Sequence, residues 1–440
     1  MRYLLAVIAG KAAMLGLKIL KKKGTTVPGN IALKICPGIL AKLSSKVTGK
    51  IVAVMGTNGK TTTNNLLADY LEKAGFSVAC NRGGANMMAG SVTAFLNKTS
   101  LWGKVKADTA TLEMDEAWAK HIFPHVKPDV VVIGNLFRDQ LDRYGEIDMT
   151  IKHLKDAIEK VPDAILVANG DDPLVCATVW NFPNMKKFYG IEKAFSDNKS
   201  EVKEGRYCAL CGKELKYEFV HFSQLGNFSC ECGFKRPVLS YNAENISVFP
   251  KLKFTVSGYG DIELNGRGAY NIYNILGSMA GAMECGASFA DISSCTKEYR
   301  PQTGRMEELI IDTGKRVCLV LAKNPAGFNQ SVRAVLEDPS EKDVLIGIND
   351  YVQDGKDVSW LWDVDFELLE QSGKVKSYTT CGLRYADAGL RLKYSGIEKQ
   401  KISMFSDMKT AVKKTLSNGT DTLYVLANYS ALFEIKELVK

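Results

Sequence analysis

The chain has 440 residues, 46% apolar and 24% charged. That suits two or three soluble globular domains and excludes a disordered or fibrous chain. Its net charge of +8 is local: residues 1–50 hold ten Lys/Arg and no Asp/Glu, leaving 47 basic against 49 acidic residues elsewhere, so a nucleic-acid-binding surface spread over the fold is not expected.

Residues 3–20 are apolar but interrupted by Lys11 and Lys18, too short and too charged for a membrane span. Lys21-Lys22-Lys23 follows the apolar part and no small-residue cleavage site is evident, which argues against a secretory signal. At helical spacing Leu4, Ile8, Ala12, Leu15 and Ile19 share one face, with Lys11, Lys18 and Lys22 along its edge. Such a helix either packs on its own domain or a partner, or lies as peripheral contact on an anionic membrane surface.

The apolar run Ile51-Val52-Ala53-Val54-Met55 leads into Gly56-Thr57-Asn58-Gly59-Lys60-Thr61-Thr62. A helical pattern through Asn65, Leu66, Tyr70 and Leu71 follows and stops at Gly75. Strand, glycine loop, Lys-Thr and helix is the context of a phosphate cradle, in which backbone N–H groups and a helix N-terminus face the anion. Lys60 is expected to reach the β- and γ-phosphates and Thr61 to ligate Mg²⁺. Only Thr57 and Asn58 stand between Gly56 and Gly59-Lys60, where the common pattern has four residues.

From 51 to about 195, strands are expected at 51–55, 77–80, 109–114, 129–134 and 164–168, with helices between them, including 147–160. This alternation predicts a parallel sheet covered on both faces, with ligands beyond the carboxyl ends of its strands. Three of those ends carry acids: Glu113-Met114-Asp115-Glu116, the run Arg138-Asp139-Gln140-Leu141-Asp142-Arg143, and Asn169-Gly170-Asp171-Asp172. A carboxylate there is a candidate Mg²⁺ ligand, and each one alone also reads as a solvated loop acid.

An insertion at 200–237 breaks the pattern. Cys208-Ala-Leu-Cys211-Gly212 is answered by Cys230-Glu-Cys232-Gly233. Two cysteine pairs, each followed by glycine, suit a closed tetrahedral Zn²⁺ site of structural type. Eleven cysteines, an odd number with only four clustered, otherwise argue for a reducing cytoplasm. Beyond the insertion, short strands near 262–264 precede a helix opened by Tyr270-Asn271-Ile272-Tyr273-Asn274, and Gly304-Arg305-Met306-Glu307 marks a boundary. A second α/β pattern follows, with strands at 316–322, 343–348, 376–381 and 422–426 and helices near 326–336, 384–394, 406–416 and 430–439.

Taken in order, these motifs resemble the Mur ligase family, ATP-dependent enzymes that join a carboxylate to an amine through an acyl phosphate. The resemblance implies an α/β fold: a Mur ligase-like central P-loop ATPase domain with a parallel sheet and an inserted four-cysteine zinc ribbon, then a smaller α/β C-terminal domain. The expected limits are 1–48 for a basic N-terminal helical segment, 49–305 for the central domain and 306–440 for the C-terminal domain. Gly56 to Thr62 looks like the family's phosphate loop, and Glu113 falls where it has a Mg²⁺-binding glutamate. Asp139-Gln140-Leu141-Asp142 resembles its Asp-His-Leu-Asp, and Asn169 with Asp171-Asp172 its Asn-x-Asp-Asp. Asn271 and Asn274 resemble the adenine-side pair, and Arg305 the nucleotide-binding arginine. Three departures stand out: Gln140 replaces a histidine, Leu321-Ala322-Lys323-Asn324-Pro325 replaces Tyr-Ala-His-Asn-Pro, and Val320 replaces an aspartate. Lys152 and Lys155 lie where a carbamylated lysine would be sought, and with only 55 residues ahead of Gly56 the domain that binds UDP in standard members is not expected here.

The whole chain resembles one branch of that family, in which the ligase-like chain is one subunit of a two-subunit enzyme. Shared stretches include the four-cysteine ribbon, Leu321 to Gly327, Asp354-Gly-Lys-Asp357-Val-Ser-Trp360-Leu-Trp-Asp363, Gly382-x-Arg384 with Arg391-Leu392-Lys393-Tyr394, and Asn428-Tyr429-Ser430. That branch implies ATP-dependent amidation of the α-carboxyl of D-glutamate in the lipid II stem peptide, with ATP, Mg²⁺ and Zn²⁺ bound. Its ammonia comes from a class I glutaminase partner in a heterodimer, and its location is cytoplasmic, at the inner face of the cell membrane. None of His121, His125, His153 and His221 lies beside a cysteine in a glutaminase-like motif, which fits glutamine hydrolysis on another chain. Within Asp354 to Trp360 the resemblance points to Asp357, with Asp354 second, as the aspartate that orients the partner's catalytic histidine. The competing expectations are a stand-alone amino-acid ligase of Mur or folylpolyglutamate type and a zinc-ribbon binding protein with a regulatory nucleotide site.

Overall fold

The computed structural model describes residues 1–20, 24–138, 147–195, 205–301 and 303–439. Lys21 to Lys23, the Asp139 to Asp142 stretch and residues 200–204 of the insertion lie outside them.

Seventeen strands form among the described residues: β1 (Ile51–Met55), β2 (Val78–Cys80), β3 (Thr109–Glu113), β4 (Val130–Ile133), β5 (Ile165–Asn169), β6 (Lys186–Ile191), β7 (Lys216–Phe222), β8 (Leu225–Ser229), β9 (Tyr241–Ser247), β10 (Leu252–Val256), β11 (Gly260–Leu264), β12 (Arg305–Ile310), β13 (Arg316–Leu321), β14 (Lys342–Gly347), β15 (Val375–Cys381), β16 (Ile402–Met404) and β17 (Thr422–Ala427). Nine make one sheet in the order β11-β10-β9-β6-β5-β4-β1-β3-β2. Its strands run parallel from β9 to β2, and β10 and β11 add an antiparallel edge. Continuous β-branched runs such as Val130-Val-Val-Ile are wholly buried, as a sheet covered on both faces requires. One face carries the helices Lys60–Lys73 and Asn271–Glu284. The other carries Met88–Asn97, Glu116–Val126, Ile147–Ile158 and Pro173–Val179.

Three N-terminal helices, Arg2–Ile19, Val27–Ile35 and Ile39–Ser44, fold onto that second face, and Ala6, Val7, Ala32 and Leu40 share its core. The first helix does not pack through the stripe expected from spacing. Its buried face is Ala6, Val7 and Gly10, while Ile8, Leu15 and Ile19 stay exposed. The small residues allow closer approach: a Cβ added at Gly10 would lie 2.7 Å from Leu96 Cδ1 and 3.4 Å from Pro28 O.

A second sheet, β12-β13-β17-β14-β15-β16, is parallel except for the β12 edge and is packed on both faces. The expected strands of both sheets are found within one residue of their predicted ends, except β11, which begins two residues before 262; β6, β12 and β16 were not expected, and β9 and β10 only loosely, as short strands around 262–264. The hairpin β7-β8 stands apart and carries the four cysteines.

Candidate nucleotide and metal sites

The loop after β1 is held by three hydrogen bonds. Thr57 N donates to Asn135 O at 2.7 Å, Asn58 N to Asn135 Oδ1 at 2.9 Å, and Phe137 N to Thr57 Oγ1 at 3.0 Å. These bonds tie the loop to the segment after β4. Gly59 caps the helix Lys60–Lys73 at φ +82°, and a Cβ there would collide with Asn274 Oδ1. Glycine is therefore required both for the backbone angle and for the close approach. Asn274 donates to Asn271 Oδ1 at 3.0 Å, and Asn271 donates to Arg267 O at 2.9 Å. Of the two expected adenine-side asparagines, Asn274 thus lines a cavity under the loop and Asn271 braces it from behind.

The loop opens into a cavity of about 210 Å³ lined by Thr57 to Thr61, Glu113, Glu116, His153, Arg305 and Lys323. A second space of about 90 Å³ adjoins it, lined among others by Thr62, Tyr270, Tyr273, Asn274 and Arg305. Lys60, Thr61, Glu113 and Arg305, named from sequence, thus meet at one place. Lys60 Nζ donates to Gly56 O at 2.5 Å and pairs with Glu116 Oε1 at 3.3 Å. Glu116 also accepts from Gly56 N at 2.7 Å. Burial pushes its carboxyl above the usual range, opposed by Lys60.

Glu113 is fixed by a side chain that the sequence reading did not single out. Asn81 Oδ1 accepts from Glu113 N at 2.9 Å and Asn81 Nδ2 donates to Glu113 O at 2.8 Å. Its buried Oε2 has no hydrogen-bond partner among the described residues. A Cβ added at Gly84 would lie 3.5 Å from Thr61 Oγ1 and 3.7 Å from Glu113 Oε2, so hydroxyl and carboxylate converge over that glycine. An unpaired buried carboxylate oxygen beside a hydroxyl at the mouth of a phosphate cradle fits a Mg²⁺ ion, a hard cation that takes oxygen ligands shared with phosphate.

The other acidic strand end differs. Asp171 accepts from Arg236 Nε at 2.7 Å, Tyr273 OH at 2.8 Å and Ile191 N at 2.8 Å. Asp172 accepts from Leu136 N at 2.9 Å and caps the helix Pro173–Val179 through Leu174 N at 3.0 Å. Both are fully enclosed, neither solvated nor open to a metal. On the helix Ile147–Ile158 the cavity-lining residues are Thr150 and His153, while Lys152 and Lys155 point to solvent.

The C-terminal sheet completes the cavity. Asn324 caps the helix Pro325–Leu336 by accepting from Gly327 N at 2.8 Å, and its Nδ2 donates to Asn58 Oδ1 at 3.2 Å. Lys323 beside it lines both spaces. Asp357 lies away in an exposed turn, accepting from Ser359 N at 2.8 Å; the Ser359 hydroxyl, together with this backbone bond, holds its carboxyl below the ordinary value. Asp354 is buried and accepts from Ser430 N at 2.9 Å and Ser430 Oγ at 2.5 Å.

The sulfurs of Cys208, Cys211, Cys230 and Cys232 all lie within 4.8 Å of one another. Cys208 and Cys232 are 3.8 Å apart and Cys211 and Cys230 3.5 Å. Zn–S bonds of about 2.3 Å in a tetrahedron place sulfurs about 3.8 Å apart, so the cluster fits Zn²⁺. Gly212 and Gly233 turn the chain back at positive φ, and their amides close onto Cys208 O and Cys230 O. At its far end the hairpin reaches the nucleotide space, where Leu225 forms part of the wall and Gln224 Nε2 donates to Leu136 O at 2.7 Å.

The Mur ligase middle-domain family matches residues 54–282, and the MurT ligase C-terminal family matches 321–432. The chain is 36% identical over 444 aligned residues to the lipid II isoglutaminyl synthase (glutamine-hydrolyzing) subunit MurT of Streptococcus pneumoniae, covering 99% of this chain and 96% of that protein. It is 33% identical to the Staphylococcus aureus protein of the same name, over 99% and 98%. Among solved structures, a pseudomurein peptide ligase type C from Methanothermus fervidus superposes with a TM-score of 0.68 at 25% identity, covering 91% of this chain and 80% of that one. The fold, the cradle under its glycine loop and the full-length likeness agree: the chain belongs to the Mur ligase family and, within it, to the MurT subunits.

Proposed function

We propose that this chain uses ATP to amidate the α-carboxyl of D-glutamate in the lipid II stem peptide, giving D-isoglutamine. A carboxylate oxygen takes the γ-phosphoryl group, ADP leaves, and ammonia then displaces phosphate from the acyl phosphate. The observation that carries this reading is the junction of the Gly56–Thr62 loop with the unpartnered Glu113 Oε2, in a chain that matches MurT subunits from end to end. Thr61 and Glu113 hold Mg²⁺, and Lys60 and Arg305 stabilise charge on the transferred phosphoryl group. Tyr270, Tyr273 and Asn274 receive the nucleoside side, with Asn271 behind them. Zn²⁺ on the four cysteines keeps the hairpin in shape.

In this reading residues 49–305 bind ATP, residues 306–440 close over it, and residues 1–48 are the basic helical segment. Ammonia comes from a class I glutaminase subunit in a heterodimer, at the cytoplasmic face of the cell membrane. Three histidines of this chain are engaged otherwise: His121 faces Trp118, His221 stacks on Phe195, and His153 meets Lys120. Asp357 is the aspartate offered to the partner's histidine. It is exposed, as are Tyr351 and Val352 earlier in the same segment, whereas Asp354 is committed to Ser430.

Mass spectrometry of lipid II tests this, after incubation with the chain, ATP, Mg²⁺ and ammonium, or with glutaminase and glutamine. One stem-peptide carboxyl becomes a carboxamide, and Asp357→Ala removes glutamine-supported but not ammonium-supported turnover. No amide under either condition, with ADP formed only when a free amino acid is added, would establish a stand-alone amino-acid ligase instead.

A further inference from the structure

The helix Arg2–Ile19 turns Ala6, Val7 and Gly10 inward and leaves Leu5, Ile8, Leu15 and Ile19 exposed. With Ala12 these residues recur at intervals of three and four, which draws one stripe along the helix. Ile19 is 72% and Leu15 60% exposed. The first turn abuts a short loop through Tyr3, whose hydroxyl donates to Gly103 O at 2.6 Å. That loop presents Leu101 and Trp102, the latter 87% exposed. An apolar stripe left open to solvent, with an exposed tryptophan on the loop that the first turn abuts, marks an interaction surface.

The charge around it selects the partner. Residues 1–50 carry ten Lys/Arg and no acid, and Lys98, Lys104 and Lys106 flank Trp102, again with no acid between 98 and 106. A second copy of the chain would bring two such cationic segments together, which like-charge repulsion opposes. No described helix is long and apolar enough to cross a membrane. Exposed leucine and isoleucine with lysines along their border, and an exposed tryptophan on the adjoining loop, are what an interfacial helix needs: apolar groups enter the headgroup–acyl boundary and cations meet anionic headgroups. We propose that the helix Arg2–Ile19, together with Leu101 and Trp102, docks this chain in the plane of an anionic bilayer surface. The exposures and charges carry this by themselves. Where the amidation reading also holds, docking keeps the ligase on the surface where its lipid-linked substrate lies.

The test is co-sedimentation of the full chain with vesicles of phosphatidylcholine alone or mixed with phosphatidylglycerol, without ATP or lipid II. The chain binds the mixed vesicles and retains part of that binding in high salt, because apolar insertion is not screened. I8E/L15E weakens it at least ~tenfold. Tryptophan emission shifts to the blue on binding, and W102F loses that shift. Both positions of the double variant are exposed, and its melting temperature verifies the fold. K11Q/K18Q lowers affinity for the mixed vesicles without adding acid to the stripe. No binding to either vesicle, binding unchanged in I8E/L15E, or a dimer that I8E/L15E dissolves in the absence of lipid overturns the proposal. Vesicle binding needs no turnover, so either result leaves the amidation reading to its own experiment.

Discussion

Two ends of the same sheet carry acidic runs that read alike, Glu113-Met114-Asp115-Glu116 after β3 and Asp171-Asp172 after β5, and they have opposite fates. Asp171 and Asp172 are saturated by donors from remote parts of the chain: Arg236 beyond the cysteine hairpin, Tyr273 on the helix Asn271–Glu284, and Leu136 N after β4. Glu113 is nearly as deep, yet among the described residues its Oε2 is met by no donor, and it faces a hydroxyl over a glycine. Burial alone therefore does not separate scaffold from site. The supply of donors does, because an enclosed carboxylate left unmatched is costly unless a ligand completes it.

The sharpest way to break this contrast is to neutralise each end in turn. Glu113→Gln keeps shape and volume but removes the charge offered to Mg²⁺. Steady-state kinetics should show kcat lowered ~10³-fold, about 4 kcal/mol of transition-state stabilisation, with an unchanged urea midpoint. A midpoint that fell along with kcat would place Glu113 in the scaffold instead. Asp171→Ala should do the reverse. It strands the Arg236 guanidinium, 9% exposed and now unpaired, at a cost of about 3–5 kcal/mol in urea unfolding. Turnover per folded molecule should change far less. If Asp171→Ala lost activity at full stability, the two ends would have to be read as one site.

Much of this was legible beforehand, and the limits are physical. β1, the phosphate loop and the helix after it are local, set by a β-branched run, two glycines and an amphipathic pattern, and they stand where expected. The four-cysteine cluster was equally legible, because two knuckles carry their own turn chemistry. Long-range pairs were not. Asn324 reaches Asn58 from 266 residues away, and nothing in Leu-Ala-Lys-Asn-Pro announces that. The Glu116–Lys60 pair depends on how the helix Glu116–Val126 meets the loop. Glu116 was visible only as one more acid at a strand end. Leu225 in the nucleotide wall depends on where the hairpin tip docks. The N-terminal helix was left with two readings for a related reason. Periodicity finds an apolar stripe but not whether water or protein covers it, and small Ala6 and Gly10 won the packed face because they permit the closest approach.

The contrast has a smaller signature in pH. Burial raises the Asp172 carboxyl to about 7, against the bonds from Leu136 N, Leu174 N and Val175 N. The folded state therefore holds that proton more tightly than the unfolded chain, whose aspartates titrate near pH ~3.9. Its contribution to stability is fully present below the unfolded value and is lost as pH rises through the folded value, so the window runs from about pH 4 to about pH 7. Asp172→Asn removes the titration. Its amide oxygen can still cap Leu174 and Val175, but only one oxygen remains for three donors, so Leu136 N loses its acceptor at a cost of about 1–3 kcal/mol. Urea midpoints measured across that window should fall less steeply with rising pH in the variant than in the parent, from a lower starting value. Parallel slopes would mean that Asp172 stays ionised throughout, its three donors outweighing burial, and that the β5 end is a satisfied anion rather than a strained one.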